Sequence, residues 1–352
     1  MKNKIYGDPL ELYNVMLRDI SRAKKYIYLE TYIYDDDQTG RRFKEALIKK
    51  AKQGVEVKVL LDAWGTQVKE NFFSELVLEG GEVRLFRRVK LRPKFFTHNH
   101  ERDHKKLLVI DNAITYVGST NISNECILWR EATLKLNGNI AQKFKEIFLK
   151  SYSDYRKSLF NQTKNVRKIF SNGFELVIDE PSAIFQNVKK RMIKMIKHAK
   201  HQIIIETPYF VPDIFFRRAL RKAAKRGIDV KLIIPKISDV RLVDILREKF
   251  LGKINQAGVK IYYYKPRILH SKLLLVDDEQ FSLGSSNIDY RSFIHQFEVC
   301  IFGKDKDISL QIKKHLHQSM TDSEEFIYEK WKDRSTIHKI MEDIIYLFKQ
   351  FI

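Results

Sequence analysis

Apolar and polar positions along this chain fall into segments of two periods. After Asp8-Pro9, residues Leu10, Tyr13, Leu17 and Ile20 recur at helical spacing. Asp8, Pro9 and Glu11 supply an N-cap, a first-turn proline and a first-turn carboxylate. "YIYLETYIY" (26–34) is dense in aromatic and β-branched residues and predicts a strand. "GRRFKEALIKKAKQG" (40–54) predicts a helix ending near Gly54, and "VEVKVLLDAW" (55–64) the next strand. The order then returns. A helix over 182–200 leads into "HQIIIETPYFVPD" (201–213), followed by a helix in "FFRRALRKAAKRG" (215–227) and a strand in "IDVKLIIP" (228–235). Strand, helix, strand in succession predicts an α/β fold built from βαβ units.

The recurrence also predicts an internal duplication. Glu30-Thr31 matches Glu206-Thr207, and "KKAKQGVEVKVLL" matches "KAAKRGIDVKLII". The polar, less periodic stretch "SLFNQTKNVRKIFSNG" (158–173) marks the break. The expected organisation is an N-terminal domain over 1–160, a C-terminal domain over 161–322 and an amphipathic helical tail over 323–352.

Chemistry enters through one repeated constellation. "RDHKKLLVIDNAITYVGSTN" (102–121) has a counterpart in "ILHSKLLLVDDEQFSLGSSN" (268–287). Each carries His-x-Lys-x4-Asp: His104, Lys106 and Asp111, then His270, Lys272 and Asp277. Each then places Gly-Ser-x-Asn at the same distance: Gly118, Ser119 and Asn121, then Gly284, Ser285 and Asn287. His104 and His270 are 166 residues apart, and the other pairs share that offset. Glu131 and Glu298 follow at an offset of 167. A single copy would be an ordinary strand end and turn; two copies at constant spacing are not.

Residues i and i+2 of a strand share a face, so each histidine is expected to project beside its lysine from a strand secured by the following leucines. Two such sets face to face would surround a phosphodiester. Lys106, Lys272, Asn121 and Asn287, with Ser119 and Ser285, are the candidate phosphate-binding groups. One neutral histidine would attack phosphorus, and the other, protonated, would serve the leaving alkoxide. Glu131 and Glu298 would hold the imidazoles in the right tautomer. Asp111 and Asp277 complete the catalytic set by motif, although their odd spacing from the lysines points them elsewhere, as turn caps. No metal or other cofactor is needed.

Charge and composition narrow the partners. The chain has 352 residues, 44% of them hydrophobic, and a formal net charge of +21. That supports a folded core and attraction to polyanions. Two cysteines, Cys126 and Cys300, make no disulfide framework and fit a reducing, cytoplasmic compartment. No apolar run suits a signal peptide or a transmembrane helix.

At "HKKLLVID" and "HSKLLLVDD" the sequence resembles the phospholipase D superfamily, whose signature is this paired motif. "TYIYDDDQTGRRFKEALIKKAKQGVEVKVLLDAWG", "ETPYFVPD", "GSSNIDYRSF" and "WKDRSTIHKIMEDIIYLF" are similar to stretches of its bacterial cardiolipin synthase branch. The resemblance covers roughly residues 20–350. It implies two similar domains, each a mixed sheet flanked by helices, related by a pseudo-two-fold with the active site between them. It also implies transfer of a phosphatidyl group from one phosphatidylglycerol to another through a phosphohistidine, with His104 as nucleophile and His270 as acid and base. The residues alone allow the reverse. Typical bacterial members begin with transmembrane helices, and this sequence resembles the shorter ones. A hydrolytic phospholipase D or a metal-independent nuclease is the alternative.

Two segments bear on the choice between lipid and nucleic acid. The basic stretch 87–106, with Phe95 and Phe96, suits an anionic bilayer or single-stranded nucleic acid. In 337–352, Ile337, Ile340, Met341, Ile344, Leu347, Phe348 and Phe351 form one apolar helical stripe. That stripe suits a membrane interface or the protein's own core. The balance favours an anionic phospholipid substrate and peripheral contact with the inner face of the cell membrane, with nucleic acid second.

Overall fold

The computed structural model describes residues 2–69, 71–87, 101–155 and 168–349. Helix α1 runs Pro9–Arg22, and the Asp8 carboxylate accepts the Glu11 N–H at 3.0 Å, as its sequence predicts. Its buried face is Leu12, Tyr13, Met16 and Ile20. Leu10 is 45% exposed, because the sheet meets the helix on the Leu12–Met16 side. Helix α2 (Gln38–Ala51) is followed by Gly54 at φ 78°, a left-handed position that glycine takes without strain.

The first half builds a sheet from β1 (Lys4–Tyr6), β2 (Tyr26–Thr31), β3 (Glu56–Asp62), β4 (Glu82–Phe86), β6 (Leu107–Ile110), β7 (Ile114–Gly118) and β8 (Thr133–Asn137). Its order is β1-β8-β7-β6-β2-β3-β4. The βαβ units make β2, β3 and β4 parallel, and the remaining pairs are antiparallel. Helices α3 (Ser74–Leu78) and α4 (Ile140–Asp154) complete this half.

The second half repeats the plan. Its strands are β9 (Lys168–Ser171), β10 (Phe174–Asp179), β11 (Gln202–Glu206), β12 (Asp229–Pro235), β13 (Lys260–Tyr264), β14 (Leu273–Val276), β15 (Gln280–Gly284), β16 (Gln296–Gly303) and β17 (Ser323–Glu325). They lie in the order β17-β13-β12-β11-β14-β15-β16-β10-β9. Its helices are α5 (Asn187–His198), α6 (Ile214–Lys225), α7 (Arg241–Asn255), α8 (Tyr290–His295), α9 (Lys306–Thr321), α10 (Tyr328–Lys332) and α11 (Thr336–Leu347). Much of the break expected over 158–173, and the boundary at 160, lies outside the described residues. Lys168–Ser171, inside that stretch, is a strand paired with β10.

The inner faces of the two sheets share one core. It joins Val109, Leu134, Phe144 and Phe148 of the first half to Leu275, Val299, Ile312 and Leu316 of the second. The halves also exchange backbone. Short strand β5 (Arg102–Asp103) leaves its own sheet and pairs in parallel with Gln296–Phe297 at the start of β16. Reciprocally, Arg130 bridges to Leu269. In each half, then, the residues just before the motif histidine are tied to the segment of the other half that carries the glutamate.

Candidate active site

The motif histidines and lysines sit just before strands β6 and β14, not within them as the alternation suggests. The cause is the exchanged backbone. His104 N–H donates to Phe297 O at 3.0 Å, and His270 N–H donates to Arg130 O at 2.8 Å. The lysines turn back along the chain: Lys106 Nζ donates to His104 O at 2.6 Å and Lys272 Nζ to His270 O at 2.5 Å. All four side chains are buried.

Each imidazole is held by a carboxylate from the opposite half. His104 Nδ1 lies 3.0 Å from Glu298 Oε1, and His270 Nδ1 lies 2.8 Å from Glu131 Oε1. With Nδ1–H donating to the carboxylate, Nε2 carries the lone pair free for chemistry. Both glutamates are fully buried. Each takes a further hydrogen bond from a serine of its own half, Ser119 to Glu131 and Ser285 to Glu298. The serines in turn accept N–H bonds from Ala132 at 2.9 Å and Val299 at 3.0 Å. Both serines are wholly buried, and their hydroxyls, expected at phosphate from their spacing, bond the carboxylates. The preceding glycines let the strands come this close. A Cβ on Gly118 would lie 2.4 Å from Ala132 O, and one on Gly284 2.3 Å from Val299 O.

Asn121 Oδ1 accepts Ile33 N–H at 3.1 Å, which leaves its amide NH2 as the group able to meet a ligand. Asn287 is equally buried, and its Oδ1 has no partner among the described residues. The motif aspartates bond local backbone. Asp111 accepts the N–H groups of Lys24, Lys25 and Tyr26 at 2.6, 2.7 and 2.9 Å. Asp277 does the same for Lys200, His201 and Gln202 at 2.9, 2.8 and 3.0 Å. Both follow the far ends of their strands, away from the histidines, so they cap local backbone.

The electrostatics show how tightly the cations crowd. Burial, then repulsion from Lys272, pushes Lys106 down to about 7. Burial likewise pushes Lys272 down to about 8. Burial and the nearby lysines hold the His104 imidazole well below its ordinary value. His270 is also lowered by burial, against the opposing pull of Glu131. Burial pushes Glu298 up to about 7. Glu131 stays below the usual carboxylate range, its burial outweighed by His270 and Lys272.

Several site neighbours are not part of the repeated motif. The Tyr32 ring meets His104 edge-on at 5.2 Å, and Trp129 meets His270 at 4.9 Å. Beneath the first motif, Lys105 Nζ bonds Glu30 at 2.6 Å and Asp103 at 2.8 Å. Beneath the second, Glu206 is held by Ser271 and by His315 Nε2 at 2.8 Å. The repeated Glu-Thr pair was the available signal for Glu30 and Glu206. Tyr32 and Trp129 carry no such signal.

The chain is similar to known proteins over most of its length. The family described as cardiolipin synthase, phospholipase D-like domain, matches twice, over residues 16–152 and 192–320. The major cardiolipin synthase ClsA of Bacillus subtilis (strain 168) is 34% identical over 97% of this chain and 73% of its own length. Cardiolipin synthase 1 of Staphylococcus aureus (strain COL) is 33% identical over 97% of this chain and 72% of its own. Among solved structures, phosphatidylserine synthase of Haemophilus influenzae Rd KW20 superposes with a TM-score of 0.79 at 14% identity, covering 99% of this chain and 95% of that one; it shares the fold. The chain therefore belongs to the cardiolipin synthase family of phospholipase D-like phosphatidyltransferases and phosphodiesterases.

Proposed function

We propose that the protein makes cardiolipin by transferring a phosphatidyl group between two phosphatidylglycerol molecules. The crossed His–Glu pairs, each beside a buried lysine, carry the proposal. Two imidazoles held by opposite halves supply a nucleophile and an acid in one site, and Lys106, Lys272 and Asn121 offer cationic and N–H groups to the phosphoryl oxygens. His104 Nε2 attacks phosphorus, and the bond from phosphorus to the glycerol headgroup oxygen breaks. His270, as imidazolium, gives its proton to that leaving alkoxide. It then takes the proton from a hydroxyl of the second phosphatidylglycerol, whose oxygen attacks phosphorus and displaces His104. The division of roles is supported by the charge each half tolerates. Neutral His104 suits attack, whereas anionic Glu131 compensates a protonated His270.

The reading extends to the cytoplasmic face of an anionic membrane. Both cysteines are buried free thiols, which fits a reducing compartment, and no helix among the described residues is long and apolar enough to cross a bilayer. Protection of the protein in intact cells from externally added protease checks that side.

Incubation with phosphatidylglycerol vesicles should yield cardiolipin and glycerol by mass spectrometry. Phosphatidic acid as the sole product would replace transfer with hydrolysis, and no product from folded protein would end the lipid reading. His270→Ala should accumulate a covalent phosphatidyl adduct that His104→Ala cannot form. The opposite pattern would exchange the two roles.

A further inference from the structure

The duplication breaks at one charged position beside the site. Arg291 stands at the motif's offset of 166 residues from Glu125, so the two halves carry opposite charges there. Glu125 opens the single helical turn Glu125–Leu128 and is exposed. Arg291 belongs to α8, where the Asp289 carboxylate caps the helix by accepting the Ser292 N–H at 2.6 Å. The arginine is partly buried, and its Nε is shut off from water without an acceptor. Among the described residues its guanidinium has neither a hydrogen bond nor an ion pair. A buried N–H left without an acceptor is costly, so one in a native fold asks for a partner from outside the chain.

The guanidinium stands at the seam between the halves. It is within electrostatic reach of His104, Tyr32 and Arg102 of the first half and of Asp289 on its own side. Tyr32 is the ring that meets His104 edge-on at 5.2 Å. Lys106, Lys272 and His270 each act on His104 more strongly than Arg291 does. That order makes Arg291 an outer cation, beyond the groups that surround the phosphorus under attack. An outer cation on one side alone suits a reaction whose two phospholipids play different parts. The acceptor phosphatidylglycerol brings a second phosphodiester, held from its attacking hydroxyl by the length of a glycerol. Lys106 and Lys272 serve the reacting phosphate, so this second negative charge needs a cation of its own. A guanidinium meets a phosphate with paired N–H groups, whereas glycerol and water offer it no anion.

We propose that Arg291 is the acceptor-binding residue of this site, its guanidinium holding the phosphodiester of the second phosphatidylglycerol so that transfer to lipid prevails over transfer to small alcohols. The proposal rests on the transfer reading. Phosphatidylglycerol micelles supplied with isotopically labelled glycerol set two acceptors in competition for one phosphatidyl intermediate. In each case a hydroxyl oxygen bonds to phosphorus, the bond to His104 breaks and His270 takes the proton, giving cardiolipin or labelled phosphatidylglycerol. The ratio of the two products should fall at least about tenfold in Arg291→Gln, the scale of a lost charge-assisted hydrogen bond. Arg291→Lys keeps the charge without the paired N–H groups and should fall less, about threefold, and it carries the test alone if the glutamine variant yields neither product. Partial unfolding lowers both products and leaves their ratio alone. A ratio unchanged in the variants, with cardiolipin formed by the wild type, would overturn the proposal and leave the transfer reading standing. A wild type that makes labelled phosphatidylglycerol but no cardiolipin would end both.

Discussion

His104 against Glu298 and His270 against Glu131 are the same construction made twice, yet their charges differ. Glu298 rises to about 7 while Glu131 stays below its ordinary value. Hydrogen bonding does not explain this, because each carboxylate meets one imidazole and one serine. The neighbours do. Glu298 lies within electrostatic reach of the buried carboxyls Asp179 and Asp289, both pushed up to about 6, chiefly by burial. Burial raises both carboxylates first; Lys106 and Lys272 lower Glu298 without offsetting it, whereas His270 together with Lys272 outweighs it at Glu131. The same construction thus carries a different carboxylate charge in its two halves, although burial lowers both imidazoles.

Replacing each carboxylate by its amide separates charge from geometry. Ser119 and Ser285 each have a second acceptor in reach, Ala132 O at 3.2 Å and Val299 O at 3.3 Å. Either serine can therefore turn to receive an amide NH2, leaving the amide oxygen on the imidazole. We predict that Glu131→Gln lowers turnover by about 100-fold and Glu298→Gln by about 10-fold, the range seen when groups orienting a reactive side chain are altered. Steady-state rates on phosphatidylglycerol in micelles decide it. Equal losses would mean that the electrostatic difference has no catalytic use, and a larger loss at Glu298 would exchange the two halves.

The paired motif was legible because duplication at constant spacing is visible in one sequence. Which glutamate serves which histidine was not. Glu298 and His104 are 194 residues apart, and their contact depends on β5 leaving its sheet for β16. The bonds from the serines to the glutamates were hidden for a related reason: a hydroxyl suits a phosphate and a buried carboxylate equally. For the C-terminal helix, periodicity revealed the stripe but not its direction, which depends on how Arg334 and α7 engage the other side. The basic stretch with Phe95 and Phe96 falls largely outside the described residues.

The two lysines allow a finer comparison. Lys106, pushed down to about 7, and Lys272, pushed down to about 8, lose their protons in that order as pH rises. A bound phosphodiester favours both ammonium forms, so binding above these values must take up protons and affinity must fall with pH. Diethyl phosphate, whose single charge is constant across this range, should bind at least about tenfold more weakly at pH 9 than at pH 6 by calorimetry. Lys106→Arg keeps its charge throughout and should remove one of the two lysine steps. A flat wild-type profile would show that neither ammonium meets the phosphate.

The motif aspartates are where the halves should agree. Asp111 and Asp277 sit at φ 53° and 54°, each followed by a second left-handed residue, Asn112 or Asp278. Two such residues make the tight turn that suits a β-hairpin, here β6–β7 and β14–β15. Burial raises Asp277, but the N–H groups of Gln202, Lys200 and His201 outweigh it and hold the carboxyl below its usual range. Asparagine tolerates this backbone conformation and keeps one acceptor oxygen; alanine tolerates it poorly and keeps none. Asp111→Asn and Asp277→Asn should each cost about 1 kcal/mol in urea unfolding, and the alanine variants about 2–3 kcal/mol, the scale of charge-assisted hydrogen bonds. Activity of the folded variants should stay within about twofold in both halves, since neither carboxylate meets the histidines. A selective loss of turnover at unchanged stability, in either half, would return that aspartate to the catalytic set and undo the division between the groups that react and the turns that hold their strands.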